Sequence, residues 1–417
     1  METLAFLTPD QVRQVQRDFG TPVYVYDQKT LEARAKDVLG LPNAFGLTAR
    51  YAMKALPTAA IVKLLSDLGL HIDASSGYEV ERALRAGVPA EKIQLTAQEV
   101  PRDLKSTLSK GIRFNACSLH QLDTYGTLFP NTEVSVRINP GLGSGHSNRT
   151  NVGGPSSSFG IWRGHVHGVE SIAEKHGLKV TGMHTHIGSG TDPQVFLHCA
   201  KLSLEIASIL KDVKTLSVGG GYKVGRMMGE NSADMPEIGQ RVKSAFEGFA
   251  RDRGRQLHLE VEPGTYLVAE AGCLVAEAID IVNTGPTGHA FLKVNTGMTE
   301  ILRPSLYGAQ HPIVVVPKSD TVRDIAHYLV VGHCCESGDI LTPEPGNPEG
   351  LQMRTLQAAQ VGDAVVIEGA GAYCSGMSAK NYNSFPEAAE VLLTASGEFK
   401  LIRKRQTLDQ ILANEIF

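Results

Sequence analysis

From about residue 49 to residue 264 the chain alternates short β-rich apolar runs with amphipathic helical stretches, eight times over. The runs are TARYAMKA (49–56), LHIDASS (70–76), IQLTAQ (93–98), IRFNACS (112–118), EVSVRINP (133–140), KVTGMHTHIG (179–188), TLSVGGG (215–221) and LHLEVEPG (257–264). The helices between them have legible ends. Pro57 stands where a first helical residue belongs, Ile61, Leu64, Leu65 and Leu68 recur at helix spacing, and Gly69 closes the segment. In SGYEVERALRAG, Ser76 and Glu79 have the spacing of a capping box, Val80, Ala83 and Leu84 share a face, and Gly87 ends the helix. Strand–helix units repeated eight times are the signature of a (β/α)8 barrel. An open doubly wound sheet is the alternative, and polar residues at nearly every strand end favour the barrel.

Outside that span the pattern changes. Runs such as CLVAEAIDIVNT, AFLKVNT, HPIVVVP, HYLVVGH and DAVVIEG are separated by Gly, Pro and Asn turns, which reads as a mostly antiparallel β-domain. The early run PVYVYD (22–27) precedes the barrel and is free to add a strand to it. A chain of 417 residues is too long for one ordinary core. The expected division is a barrel over 29–266 and a β-domain made of 1–28 and 267–417, the latter including the N-terminal strand.

Composition excludes several classes of function. A hydrophobic content of 42% with 20% charge is that of a soluble globular protein, and the net charge of −4 offers no nucleic-acid surface. No apolar run reaches the roughly 18 residues needed to span a bilayer, so no membrane is expected. The first twenty residues lack the basic-then-apolar layout of a secretory signal. The six cysteines are scattered and show no CxxC spacing, as befits reduced thiols of a cytoplasmic protein.

Barrel enzymes carry their reacting groups on the loops that follow the strands. Here the first strand ends at Lys54, the second at Asp73 and Ser75, and the sixth at His186 and Ser189. The seventh runs into Gly219-Gly220-Gly221, and the eighth ends at Glu262. An amine, an aromatic platform, a phosphate cradle and a carboxylate are the parts of a pyridoxal-phosphate site. Lys54 sits in an otherwise apolar strand, where lost solvation lowers its pKa and frees the amine to condense with an aldehyde. Three glycines let several N–H groups converge on an anion, and Ser189 offers a hydroxyl from the neighbouring strand. His184 and His186 point the same way by alternation. His186 is preferred as the ring stacked on the cofactor and His184 as a core histidine. The pair alone does not make a metal site, and no metal is expected. Glu262 suits the pyridine nitrogen, although Glu260 faces the same side and alternation does not choose between them.

These motifs resemble the fold-type III, alanine-racemase-like, pyridoxal-phosphate decarboxylases, and among them the diaminopimelate decarboxylases most. YAMKAL, IDASSGYEVERALRAG, HTHIGSG, GGG and EPG correspond to the lysine, post-strand, histidine, phosphate-loop and carboxylate motifs of that family. RPSLYGAQH (303–311), CESGD (335–339) and GAYCSGMSAKNYNSFPEAAEVLL (371–393) extend the likeness over nearly the whole chain. The resemblance implies pyridoxal 5'-phosphate as cofactor and Lys54, His186, Glu262 and Cys335 as catalytic residues. Cofactor contacts would come from Lys54, Asp73, His186, Ser189, Gly219, Gly220, Gly221, Glu262 and Tyr373. Arg303, Tyr307, Glu336 and Tyr373 would bind a small amino-acid substrate, with Cys335 and Glu336 reaching the other subunit's site in a homodimer. It also selects Glu262 over Glu260, and Cys335 over Cys334. The reaction implied is decarboxylation of meso-diaminopimelate to lysine.

Two departures from the family pattern stand out. Thr265 follows EPG where the family has an arginine, and the segment 141–162 is longer and more polar than its counterpart. Arg149, His146 and Asn151 are the candidates to supply the lost contact. The departures keep open another basic amino acid, or carboxynorspermidine, as substrate. A non-catalytic cofactor-binding homologue is the rival from another class, against which Lys54, Cys335 and the β-domain all argue.

Overall fold

The computed structural model describes residues 2–143, 153–186 and 188–416. The chain divides into two compact units. One comprises residues 32–224 and 231–267, the other residues 1–31, 225–230 and 268–417.

The first unit is a closed barrel of eight parallel strands. They are β1 (Leu47–Ala52), β2 (His71–Ala74), β3 (Ile93–Leu95), β4 (Arg113–Ala116), β5 (Glu133–Asn139), β6 (Lys179–His184), β7 (Thr215–Ser217) and β8 (His258–Val261). Each pairs with its sequence neighbour, and β8 pairs with β1 to close the ring. A two-residue strand, Ile161–Trp162, is added beside β5. The helices between the strands start on side-chain caps. Ser76, Ser118, Asp192 and Asp234 each accept a backbone N–H from the first turn. Two local expectations change. The helix after β1 runs Ala59–Asp67 with Thr58 as its cap, so Pro57 lies outside it. Ser76 accepts from Glu79 N–H as a capping box requires, but the Glu79 carboxylate takes the N–H of Ser75 at 2.7 Å instead of closing the box.

Alternation along the strands sorts the side chains. Tyr51, Ile72, Leu95, Val136, Met183 and Val261 are buried on the apolar side. The intervening positions are polar: Arg50, Asp73, Gln94, Asn115, Arg137, His184, Ser217 and Glu260, all buried. Charge in such a place must be matched within the barrel. Arg50, with no exposure, meets Glu260 at 3.0 Å and 3.4 Å, and Arg113 approaches the same carboxylate at 3.7 Å.

The second unit is a nine-stranded, mostly antiparallel sheet. The N-terminal strand Val23–Asp27 lies inside this sheet and not in the barrel, antiparallel to Gly272–Asn283 and parallel to Ala389–Leu393. Helix Pro9–Phe19 packs Val12 and Val15 onto Val23, Val25, Cys273 and Val275. Among the described residues no helix is long and apolar enough to cross a membrane.

Removing one partner of a buried ion pair strands the other. Arg50→Met is therefore expected to cost about 3–5 kcal/mol of unfolding free energy, read from the urea midpoint by circular dichroism. A midpoint unchanged from the parent protein would show that the pair carries no such weight.

Candidate active site

β1 stops at Ala52, whose N–H is taken by the Pro263 carbonyl at 3.1 Å, and the chain then turns through Met53–Ala55 as a 3-10 helix. Lys54 is therefore neither inside the strand nor desolvated, as its apolar surroundings in sequence suggested. It is exposed on the turn that follows. Its charge acts on Asp73, Glu79 and His186, which places the amine among the other strand ends.

Glu262 is the best-determined member of the group. It is buried, and His184 Nε2 lies 2.8 Å from its Oε2, although the ring N–H is not aligned for a full hydrogen bond. Ser217 donates its hydroxyl to Oε1 at 3.2 Å and accepts the N–H of Gly219 at 3.2 Å. Burial opposes ionisation of Glu262, but His184 outweighs it and holds the carboxyl down to about 2. Asp73 has the opposite balance. Burial and the Glu262 charge raise it well above the usual range, with Lys54 pulling the other way. Glu260, which alternation left as an alternative, is taken up by Arg50 and Arg113.

His186 is neutral for two reasons. Burial and the charges of Arg137 and Lys54 push it well below its ordinary value. Its Nδ1 also accepts the N–H of Gly220 at 3.3 Å, which leaves the proton on Nε2. The glycine triplet is packed too closely for any side chain. A Cβ on Gly219 (φ +74°) would lie 2.7 Å from His186 Nδ1. One on Gly220 would lie 2.1 Å from the Glu262 carbonyl, and one on Gly221 (φ +93°) 1.8 Å from the Gly188 carbonyl. Gly190 donates to the Gly221 carbonyl at 2.9 Å, so the segment carrying Ser189 runs alongside the triplet. Lys54, Asp73, His186, Ser189, Gly219, Gly220, Gly221 and Glu262 thus occupy the same end of the barrel.

Residues 30–269 match the family described as pyridoxal-dependent decarboxylase, pyridoxal binding domain. Diaminopimelate decarboxylase of Escherichia coli K12 is 33% identical over 98% of this chain and 97% of its own length. The chain belongs to the pyridoxal-dependent decarboxylases. A crystal structure of a diaminopimelate decarboxylase superposes with a TM-score of 0.92 at 32% identity, covering 100% of this chain and 98% of the other. The Helicobacter pylori diaminopimelate decarboxylase complexed with L-lysine gives 0.84 at 27% identity, covering 96% and 98%.

The barrel end of this decarboxylase fits pyridoxal phosphate on its own geometry. Asp73 Oδ1 and His184 Nδ1 are buried without hydrogen-bond partners, polar atoms that a polar group bound at the strand ends would satisfy. His184, expected as a core histidine, is buried but lies against Glu262, and Arg137 is a further member that the motifs do not mark. Arg137, buried with its guanidinium 4.9 Å over the Phe159 ring, is two positions along β5 from the inward Ser135, which is the signal that finds it.

The remaining expected residues lie in the β-unit. Arg303 and Tyr307 bound a one-turn helix, and Tyr373 is held at φ +55°, unusual for a bulky side chain. Cys335 and Glu336 are exposed on a loop built around Asp339, whose carboxylate accepts the N–H groups of Met298 and Cys334. Cys335 N–H is fixed by Asn383 at 2.9 Å and Glu336 by the Tyr382 hydroxyl at 3.4 Å. Burial pushes the neighbouring Cys334 thiol up to about 12. Arg149, His146 and Asn151 lie outside the described residues.

A carboxyl depressed in the folded state contributes stability above its unfolded value, near 4.5, which is lost as pH falls through the folded one, about 2. The stability gap between the parent protein and Glu262→Gln should therefore narrow between those pH values. Urea titrations at stepped pH measure it, and a gap independent of pH in that window would contradict the pairing.

Proposed function

We propose that this decarboxylase converts meso-diaminopimelate to lysine and CO2 as a cytoplasmic homodimer. The observation that carries the chemistry is the charged Glu262, locked by His184 and Ser217 at the strand ends that also bring Lys54, His186 and the glycine cradle together. The likeness to diaminopimelate decarboxylases over almost the whole chain supports the substrate.

In this reading Lys54 supplies the amine that condenses with the cofactor aldehyde. The N–H groups of Gly219 and Gly220 are given to Ser217 and His186, so from the triplet the Gly221 N–H, with the Ser189 hydroxyl and Tyr373, would hold its phosphate. Neutral His186, oriented by the Gly220 N–H, would be the ring that holds the pyridine. When bound, pyridoxal phosphate is the electron sink for the pair left behind as CO2 departs. Glu262 would hold a proton at the ring nitrogen because its own charge survives burial, His184 first and then His186 and Arg137 favouring that charge. An arginine at this place, as in racemases of the same fold, would weaken the sink. Asp73 sits beside Lys54 as a raised carboxyl able to hold a proton near the amine.

Substrate contacts are assigned to the β-unit. Arg303 and Tyr307 bind the distal carboxylate, and Glu336 from the second subunit binds the distal ammonium. Cys335 from that subunit, or Lys54 once released, returns the proton to Cα. The exposure of the Cys335–Glu336 loop suits a surface covered by a partner. Thr265 is the observation that favours a second reading, in which another basic amino acid or carboxynorspermidine is the substrate.

Lys54→Ala is expected to remove both the visible absorbance of the bound cofactor and CO2 release. An active Lys54→Ala protein would overturn the assignment. CO2 release measured with diaminopimelate, ornithine, arginine, lysine and carboxynorspermidine decides the substrate, with diaminopimelate expected to lead. Mixing the inactive Lys54→Ala and Cys335→Ala chains should restore about a quarter of the parent activity, because half of the random dimers regain one intact site. No recovery after verified subunit exchange would exclude a shared site.

A further inference from the structure

Two arginines of the β-unit are tethered alike, each through Nε, with Glu230 and Glu270 the acids whose charge reaches Arg226. Arg303 donates from Nε to His311 Nε2 at 3.3 Å, and His311 donates from Nδ1 to the Glu368 carbonyl at 2.9 Å. Arg226 donates from Nε to the next carbonyl, that of Gly369, also at 2.9 Å. Both guanidiniums are thereby anchored on uncharged acceptors through Nε, which leaves their terminal amino groups for another partner. Among the described residues the arginine ion pairs of this unit engage Arg13, Arg323, Arg354 and Arg403, and neither Arg226 nor Arg303.

Arg226 Nη2 is fully buried and has no hydrogen-bond partner. The nearest acid in sequence, Glu230, is occupied: its Oε2 accepts the N–H groups of Arg226 and Met227 at 2.8 Å and 3.4 Å, folding 225–230 into a clasp. The arginine stem passes directly over Gly369 (φ +63°), where a Cβ would lie 3.1 Å from Cγ and Cδ. Burial and the charge of Arg303 push Arg226 down to about 9, and both charges act on the thiol of Cys374, next to Tyr373. Two cations that act on each other, one with a buried N–H lacking a partner, carry a penalty that a bound anion lowers.

We propose that Arg226 is the second arm of a two-arginine clamp and, with Arg303, grips the distal carboxylate of the substrate. The proposal rests on the reading of Arg303 as a distal-carboxylate residue. An arginine suits this role because its planar fork binds a carboxylate through two parallel N–H donors. Decarboxylation at one end of diaminopimelate leaves the distal carboxylate on the product, so the same clamp holds lysine. Cadaverine, which lacks both carboxylates, offers it nothing.

The test compares holoenzyme of the parent, Arg226→Met, Arg226→Lys and Arg303→Met. In Arg226→Met the KM for meso-diaminopimelate and the inhibition constant of L-lysine are expected to rise about 10- to 100-fold, with a much smaller change in kcat. Inhibition by cadaverine and the visible absorbance of the bound cofactor should stay as in the parent. Arg226→Lys should recover part of the lysine affinity. Equal weakening of lysine and cadaverine, or loss of the cofactor absorbance, would overturn the clamp. So would an Arg226→Met protein that keeps its lysine affinity while Arg303→Met loses it, and the underlying reading would then stand. If Arg303→Met also fails to separate lysine from cadaverine, that reading fails with it.

Discussion

A carboxylate that must stay charged inside a barrel needs a partner built into the same wall, and His184, 2.8 Å away, provides it for Glu262. The two come from β6 and β8, on either side of β7, whose Ser217 completes the set by donating to the other carboxylate oxygen. This arrangement depends on strand register: His184 is level with Ser217, and Ser217 with Glu260. One residue of slip on any of the three strands would turn one member of the set outward beneath the helices. The electrostatics of the site are thus a property of the closed barrel and not of a loop.

Directly below lies a second matched carboxylate. Arg50 and Glu260 neutralise each other with essentially no exposure, while Asp73 is left to ionise poorly beside Glu262. The interior therefore sorts three acids into different states by giving each a different neighbour. Glu260 meets arginine, Glu262 meets histidine, and Asp73 meets another carboxylate with Lys54 and the Thr96 hydroxyl in partial compensation. Acids of the same type diverge because of what stands across the barrel from them.

Much of this was legible in the sequence because strand alternation and strand–helix repetition are local signals. The eight strands, the antiparallel unit and the glycine cradle follow from patterns within a few residues. What was not legible depends on partners distant in the chain. Nothing around Lys54 indicates that the Pro263 carbonyl ends its strand two residues earlier, leaving the amine exposed on a turn. Nothing around Glu260 names Arg50, 210 residues away, so alternation alone left two glutamates on equal terms. Ser75 and Ser76 compete for the Glu79 carboxylate, and spacing favours the one that does not bind it. The N-terminal strand fits either sheet by composition, and pairing with Gly272–Asn283 and Ala389–Leu393 decides it. The segment Gly225–Glu230 carries no composition shift to mark that it belongs with the β-unit.

The glycine triplet does more than leave space for an anion. Gly219 abuts the ring of His186, Gly220 the carbonyl of Glu262, and Gly221 the carbonyl of Gly188. Three consecutive residues of one strand end thus bear on the ends of the strands on both sides. The mouth of the barrel behaves as a single interlocked piece, whose parts cannot drift independently over evolutionary time. Sequence variation in this protein should be accommodated one loop at a time elsewhere, whereas here a single added methyl group would press at once on the neighbouring strand end.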